Sequence, residues 1–149
     1  MKPTLHDAAK KNRRGQSIVE FSLVMPMFFA LFTGMLSFGI ALHDCLVLTN
    51  AVNIGAQTLS MSRGQTTDPC ATAYSAIQNA GSTLTASKLS MTVVLNGVSY
   101  SSDSCSTGAG NMVQGSSAQV SATYPCTLAI FGLTLPSCKL GAQLSETIQ

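Results

Sequence analysis

Formal charge is what this chain lacks most. Between Phe21 and Leu42 no side chain carries one, a run of 22 residues reading FSLVMPMFFALFTGMLSFGIAL, and charged residues make up only 9% of the 149. At the helical rise that run is ~33 Å long, enough to cross the hydrocarbon core of a bilayer. Acids are also scarce at the start: Lys2, Lys10, Lys11, Arg13 and Arg14 meet a single acid, Asp7. From Gln16 onward three basic residues meet five acidic ones. A basic cluster abutting an apolar span sets membrane orientation, so a membrane is expected as partner and nucleic acid is not. Histidine is limited to His6 and His43, and no CxxC or Cys/His spacing is present. That composition predicts no zinc site, no other metal site and no cofactor. His43-Asp44-Cys45 is the one suggestive triplet, but three consecutive helical residues point in different directions. They cannot form a nucleophile–base–orienter chain, so they are expected at an interface, and the chain is not expected to be an enzyme.

What is present divides the sequence into three parts. Residues 1–15 (MKPTLHDAAKKNRRG) are polar and basic and are expected as a flexible leader on the cytoplasmic side. Residues 16–64 read as one long helix, transmembrane over about 18–42. The apolar run is longer than a secretory signal core, which favours a retained anchor over cleavage near Gly39-Ile40-Ala41. Beyond it Leu46, Leu48, Ala51, Val52, Gly55 and Leu59 keep roughly a 3.6-residue beat, and Arg63-Gly64 is a stop signal. Pro26 cannot donate its N–H and predicts a kink or local unwinding. Ala30, Gly34 and Gly39 are small residues that let another helix approach closely.

Residues 65–149 read as an exported α+β domain. Asp68-Pro69 starts a helix that Gly81 stops, with Ala73, Ala76, Ile77 and Ala80 on one face. The period then changes to two. Leu89 to Leu95 alternates and ends at Asn96-Gly97, Val98 to Tyr100 returns, Ser117 to Tyr124 is a second long strand, and Lys139 to Ile148 a last one. Thr127 to Leu135 (TLAIFGLTL) is apolar but too short to span, and is expected as a loop or short element packed on the sheet or the membrane surface. Cys70, Cys105, Cys126 and Cys138 are an even set in the exported part, and Cys45 stands alone just past the span. Of the three possible pairings, the favoured one is Cys126–Cys138, closing a short loop, with Cys70–Cys105.

Arg13-Arg14-Gly15, then Glu20-Phe21, then an apolar helix with Pro26, resembles the class III prepilin signal of type IV pilins. The closer resemblance is to TadE/TadF-like minor pilins, or pseudopilins, of the Tad (Flp) pilus system, and Leu48-Thr49-Asn50-Ala51-Val52-Asn53-Ile54-Gly55-Ala56 is similar to the post-membrane helix of that family. The likeness covers about residues 13–64. It implies a pilin-like fold and cleavage after Gly15 by a prepilin peptidase, making Gln16 the mature N-terminus. It also implies that Glu20 and the adjoining Phe21 recruit and register subunits, the Glu20 carboxylate pairing with an N-terminal amine. Gln16 stands where many type IV pilins carry an aromatic residue. The partners implied are the peptidase, other pilin or pseudopilin subunits and the assembly platform. The place implied is the bacterial inner membrane, with the N-terminus cytoplasmic and the domain periplasmic or on a pilus. A pseudopilin of a type II-like secretion system and a non-polymerising, membrane-anchored binding or adhesion module are the rival readings.

Overall fold

A computed structural model describes residues 5–126, 129–130, 133–134 and 138–149, with side chains for 16–126 and 138–149. The first helix, α1 (Leu5–Met61), is 57 residues long and is followed by α2 (Pro69–Ala80) and six strands. These are β1 (Ser90–Leu95), β2 (Val98–Tyr100), β3 (Ser117–Pro125), β4 (Ala129–Ile130), β5 (Leu133–Thr134) and β6 (Lys139–Thr147), with 3₁₀ turns at Ala86–Lys88 and Ser106–Asn111. The class is α+β, as the periodicity predicts.

One local expectation is corrected at the start of α1. The leader is helical from Leu5, not irregular. Ala8, Ala9, Lys10, Lys11, Arg13 and Arg14 are all strong helix formers, so propensity outweighs the lack of an apolar face there. Pro26 lies inside α1, which stays helical on both sides of it. The stripe also begins later than predicted. Leu46 is exposed and Leu48 is the first fully buried position, since residues two apart lie on opposite sides of a helix. From Leu48 the covered face continues through Ala51, Val52, Gly55, Ala56 and Leu59.

The sheet has the order β2-β1-β3-β6 with every pair antiparallel. Its inner face carries Met91, Val93, Leu95, Ala118, Val120, Ala122 and Tyr124, all buried against the helices. The outer face is polar: Thr92, Ser121 and Gln143 lie side by side across three strands. The β1–β2 turn has Asn96 at φ 49° and Gly97 at φ 84°, the two left-handed positions that an Asn-Gly hairpin requires. β4 and β5 pair antiparallel, so part of the apolar segment 127–135 is a short element, and β4 lies beside α1. Residues 127–128, 131–132 and 135–137 of that stretch lie outside the described residues.

Both predicted disulfides are present, with Cα separations of 5.3 Å for Cys70–Cys105 and 5.2 Å for Cys126–Cys138. Cys45 is free. The chain direction of each element orders the domain along α1. Gln149 donates its backbone N–H to Ser60 O at 3.1 Å, so β6 runs toward the C-terminal end of α1. β1 runs the same way, and β3 and α2 run back.

Candidate assembly surface

Two halves of α1 have opposite surroundings. From Leu48 onward the helix is packed into the domain core. From Gln16 to Leu42 every large apolar side chain but the half-buried Met25 is uncovered; Leu23, Met27 and Met35 are 73%, 69% and 78% exposed. An uncharged helix of this length with its apolar side chains bare cannot be stable in water, because the hydrophobic cost grows with uncovered area. By length and composition Gln16–Met61 is the one helix among the described residues that could cross a membrane. The rings of Phe28, Phe29 and Phe32 lie against one another, with centroids 6.5 and 6.4 Å apart. They form an aromatic ridge on this bare surface.

The predicted site residues fall on this half. Gly15 and Gln16 are both inside α1, so the peptide bond between them is helical. Glu20 and Phe21 are exposed. Gln16 donates its side-chain amide to Glu20 Oε1 at 3.2 Å, one turn away on the same face. That contact was not anticipated; the i, i+4 spacing of the two residues was its only signal. A neutral amide satisfies one of several lone pairs of a carboxylate, leaving most of its charge uncompensated in an apolar setting. Gly34 and Gly39 have nothing within 4 Å of where a Cβ would stand, so the chain itself fills neither site. Ala30 lies on the same uncovered half. His43 is exposed, and Asp44 and Cys45 are half-buried at the boundary between the two halves.

The junction of α2 with the sheet held a surprise at Asp68. It caps α2 as expected, accepting from Ala71 N at 3.0 Å. The same carboxylate also accepts Cys105 N at 2.8 Å and the Ser104 hydroxyl. It thereby ties the start of α2 to the loop that Cys105 anchors. The Cys105 N–H first, then the Ser104 hydroxyl and Ala71 N–H, hold the Asp68 carboxyl below the usual carboxylate range. Asp68, Cys70 and Cys105 are also close enough to suggest metal ligands, but both sulfurs are consumed in the disulfide. Two clefts flank α2. One, of about 250 Å³, is lined by Ile77, Gln78, Leu84 and Leu89; the other, of about 380 Å³, by Thr58, Met61, Gln65 and Thr72. Neither is lined by a titratable side chain.

Comparison with known proteins bears on the helix. The family model described as TadE-like protein matches residues 15–57. The matched span opens at Gly15, takes in Glu20 and the whole apolar run, and ends within the packed half of α1. It agrees with the resemblance read from the residues themselves, and associates this stretch with a Tad pilus system. No curated protein and no solved structure matches the chain.

Proposed function

We propose that the protein is a minor pilin or pseudopilin, a non-enzymatic structural component in assembly of a Tad-type pilus. The observation that carries this reading is the division of α1. A helix whose C-terminal half is built into a disulfide-stapled domain presents a bare apolar N-terminal half with a single carboxylate, Glu20, at its start.

The mechanism follows from where charge sits. A prepilin peptidase cuts after Gly15, the residue in this stretch least favourable to helix, which eases local opening of the bond. The cut removes the five leader cations and creates an α-amine at Gln16. Before assembly the helix is held in the membrane, the leader cytoplasmic and the domain periplasmic. During assembly bare helices bundle: Ala30, Gly34 and Gly39 admit a neighbour's helix, and Phe21 and the phenylalanine ridge fill the grooves. A Glu20 carboxylate entering that apolar bundle needs a cation, and the amine of Gln16, its own or a neighbour's, supplies it one turn away. Pairing occurs only at the correct axial offset, so the charge sets register. The partners are accordingly the peptidase, other pilin subunits and the assembly platform.

The test is the intact mass and N-terminal sequence of the protein taken from membranes of its native host. A chain starting at Gln16 is expected. One starting at Met1 would overturn the pilin reading in favour of a non-polymerising anchored module.

A further inference from the structure

The four-stranded sheet ends in two edges, β2 on one side and β6 on the other. Ile148 donates its N–H to Ser116 O, and Cys126 its N–H to Cys138 O, so the even-numbered positions along β6 bond to β3. The N–H and C=O groups of Gly141, Gln143, Ser145 and Thr147 therefore point away from the sheet. Among the described residues no other strand or loop bonds to them. β6 keeps its register with β3 over all 9 of its residues, without a bulge. It contains no proline, and its two charges, Lys139 and Glu146, leave Leu140 to Ser145 uncharged. Charge, proline and bulges are the devices that keep a long edge from pairing, and that stretch of β6 carries none of them.

The other edge matches it in direction and in face. β6 runs toward the C-terminal end of α1, and β2, antiparallel to β1, runs back. Copies whose α1 helices point one way, as in one membrane, therefore present β6 of one and β2 of the next as an antiparallel pair. Two β6 strands pairing antiparallel would turn their α1 helices opposite ways and take one apolar half out of the bilayer. Asn96 donates its N–H to Ser117 O, so the even positions of β1 bond to β3, and Val93 and Leu95 bond to Tyr100 and Val98. Ser99 is then the residue of β2 whose backbone groups face the open edge, and it lies on the polar outer face as Gln143 does on β6. On the helix side both edges leave apolar groups part-covered. Leu140, Ala142 and Leu144 are half-buried on β6; on β2 Tyr100 is half-buried and Val98 is 45% exposed.

We propose that β6 of one copy pairs antiparallel with β2 of the next, joining their sheets into one. Ser99 stands opposite Gln143, with Gly97 to Ser101 facing Ser145 to Gly141. This register sets Val98 beside Leu144 and Tyr100 beside Ala142 on the helix side. A shift of two residues brings Glu146 opposite Val98 in one direction, or Lys139 opposite Ser101 in the other. The uncharged stretch of β6 thus selects the register. Because the joint is head to tail, each pair still has a free β2 and a free β6, and association passes beyond a dimer. The proposal rests on copies sharing one α1 direction, and does not depend on cleavage after Gly15.

The test is disulfide trapping of the full-length chain in membranes of its native host, with Cys45→Ser removing the free thiol. Cys126 and Cys138, opposite one another across β3 and β6, show that a hydrogen-bonded pair in this sheet accepts a disulfide. On oxidation, Ser99→Cys combined with Gln143→Cys is expected to give a ladder of dimers, trimers and larger species. Its yield should exceed at least about fivefold that of Ser99→Cys with Thr123→Cys, a pair that only random collision joins. Thr123 is exposed on β3, so access does not limit that control. Ser101→Cys with Gly141→Cys should give the same ladder, and adding Gln143→Pro should abolish it. That proline removes an N–H facing the open edge and no bond to β3, so thermal unfolding in detergent should be unchanged. Dimers from Gln143→Cys alone, as abundant as from the paired variant, would mean that two β6 strands meet, and would overturn the proposal. So would trapping no stronger than the Thr123 control, or a ladder that survives Gln143→Pro. None of these outcomes depends on whether the chain begins at Met1 or Gln16.

Discussion

Gly55 of α1 lies so close beneath Ile77 of α2 that a Cβ placed on it would stand 2.5 Å from Ile77 Cγ1 and 2.9 Å from Cδ1. Ala73 O lies 3.3 Å away on the other side. The absent side chain is what lets the two helices meet, and Ile77 is fully buried as a result. Gly55→Ala gains helix propensity of ~1 kcal/mol but overpacks the contact by ~1–3 kcal/mol, so a net loss of up to about 2 kcal/mol is expected. The check is thermal unfolding of the full chain in detergent, followed by circular dichroism. Ile77→Ala, costly by itself, should cost less when Gly55→Ala is also present, and the double-mutant cycle measures that coupling.

Asp68 makes stability pH-dependent. Its folded carboxyl titrates below the ordinary value of 3.8, so it contributes stability above that value, and this is lost as pH falls through the lower folded pKa. Unfolding between pH 2 and 6 should show this acid-side loss in the native chain, and a smaller one in Asp68→Asn. At neutral pH, Asp68→Ala should cost about 1 kcal/mol as a lost helix cap, with solvent screening keeping the charge contribution small. An unchanged acid limb in Asp68→Asn would mean that other groups set it.

The two disulfides should differ in weight. Cys70 and Cys105 are 35 residues apart, Cys126 and Cys138 only 12. On the chain-entropy account, removing the longer closure costs ~4 kcal/mol and the shorter ~3 kcal/mol. Paired Cys→Ala variants, compared by urea unfolding, should keep that order. The longer bridge also holds Cys105 under Gly108, where a Cβ would stand 3.0 Å from the Cys105 sulfur. Gly108→Ala is therefore expected to weaken the same joint.

On the proposed function, Glu20 acts in assembly and not in processing. Glu20→Ala should leave the N-terminus at Gln16 intact by mass, yet reduce incorporation into filaments by at least about tenfold, the scale of a lost buried charge pair. Glu20→Gln, which keeps hydrogen bonding but cannot pair with an amine, should behave like Glu20→Ala. Normal incorporation of both would remove the charge-pairing step while leaving the helix bundle in place.

Much of this was written in local chemistry. The uncharged run, the Asp68-Pro69 helix start, the Asn96-Gly97 turn and the alternating strand before it are near-neighbour patterns. Spacing along the chain dictates them, and the structure places α2 and β1 to β3 where those patterns put them. The leader and Leu46 were misread for local reasons too: propensity carried a polar segment into the helix, and two positions of spacing turned Leu46 outward. What no local pattern held are the contacts between residues far apart in the chain. Gly55 meeting Ile77, Asp68 holding the Cys105 loop, and the strand order β2-β1-β3-β6 all arise only on packing. They depend on which faces the sheet and helices bury together, and burial is a property of the folded whole. The sequence by itself determined most of the elements and the long uncharged run, while of the three possible cysteine pairings it only favoured the one the structure shows. Tertiary structure alone decided which residues far apart in the chain meet, because burial joins faces that no local spacing relates.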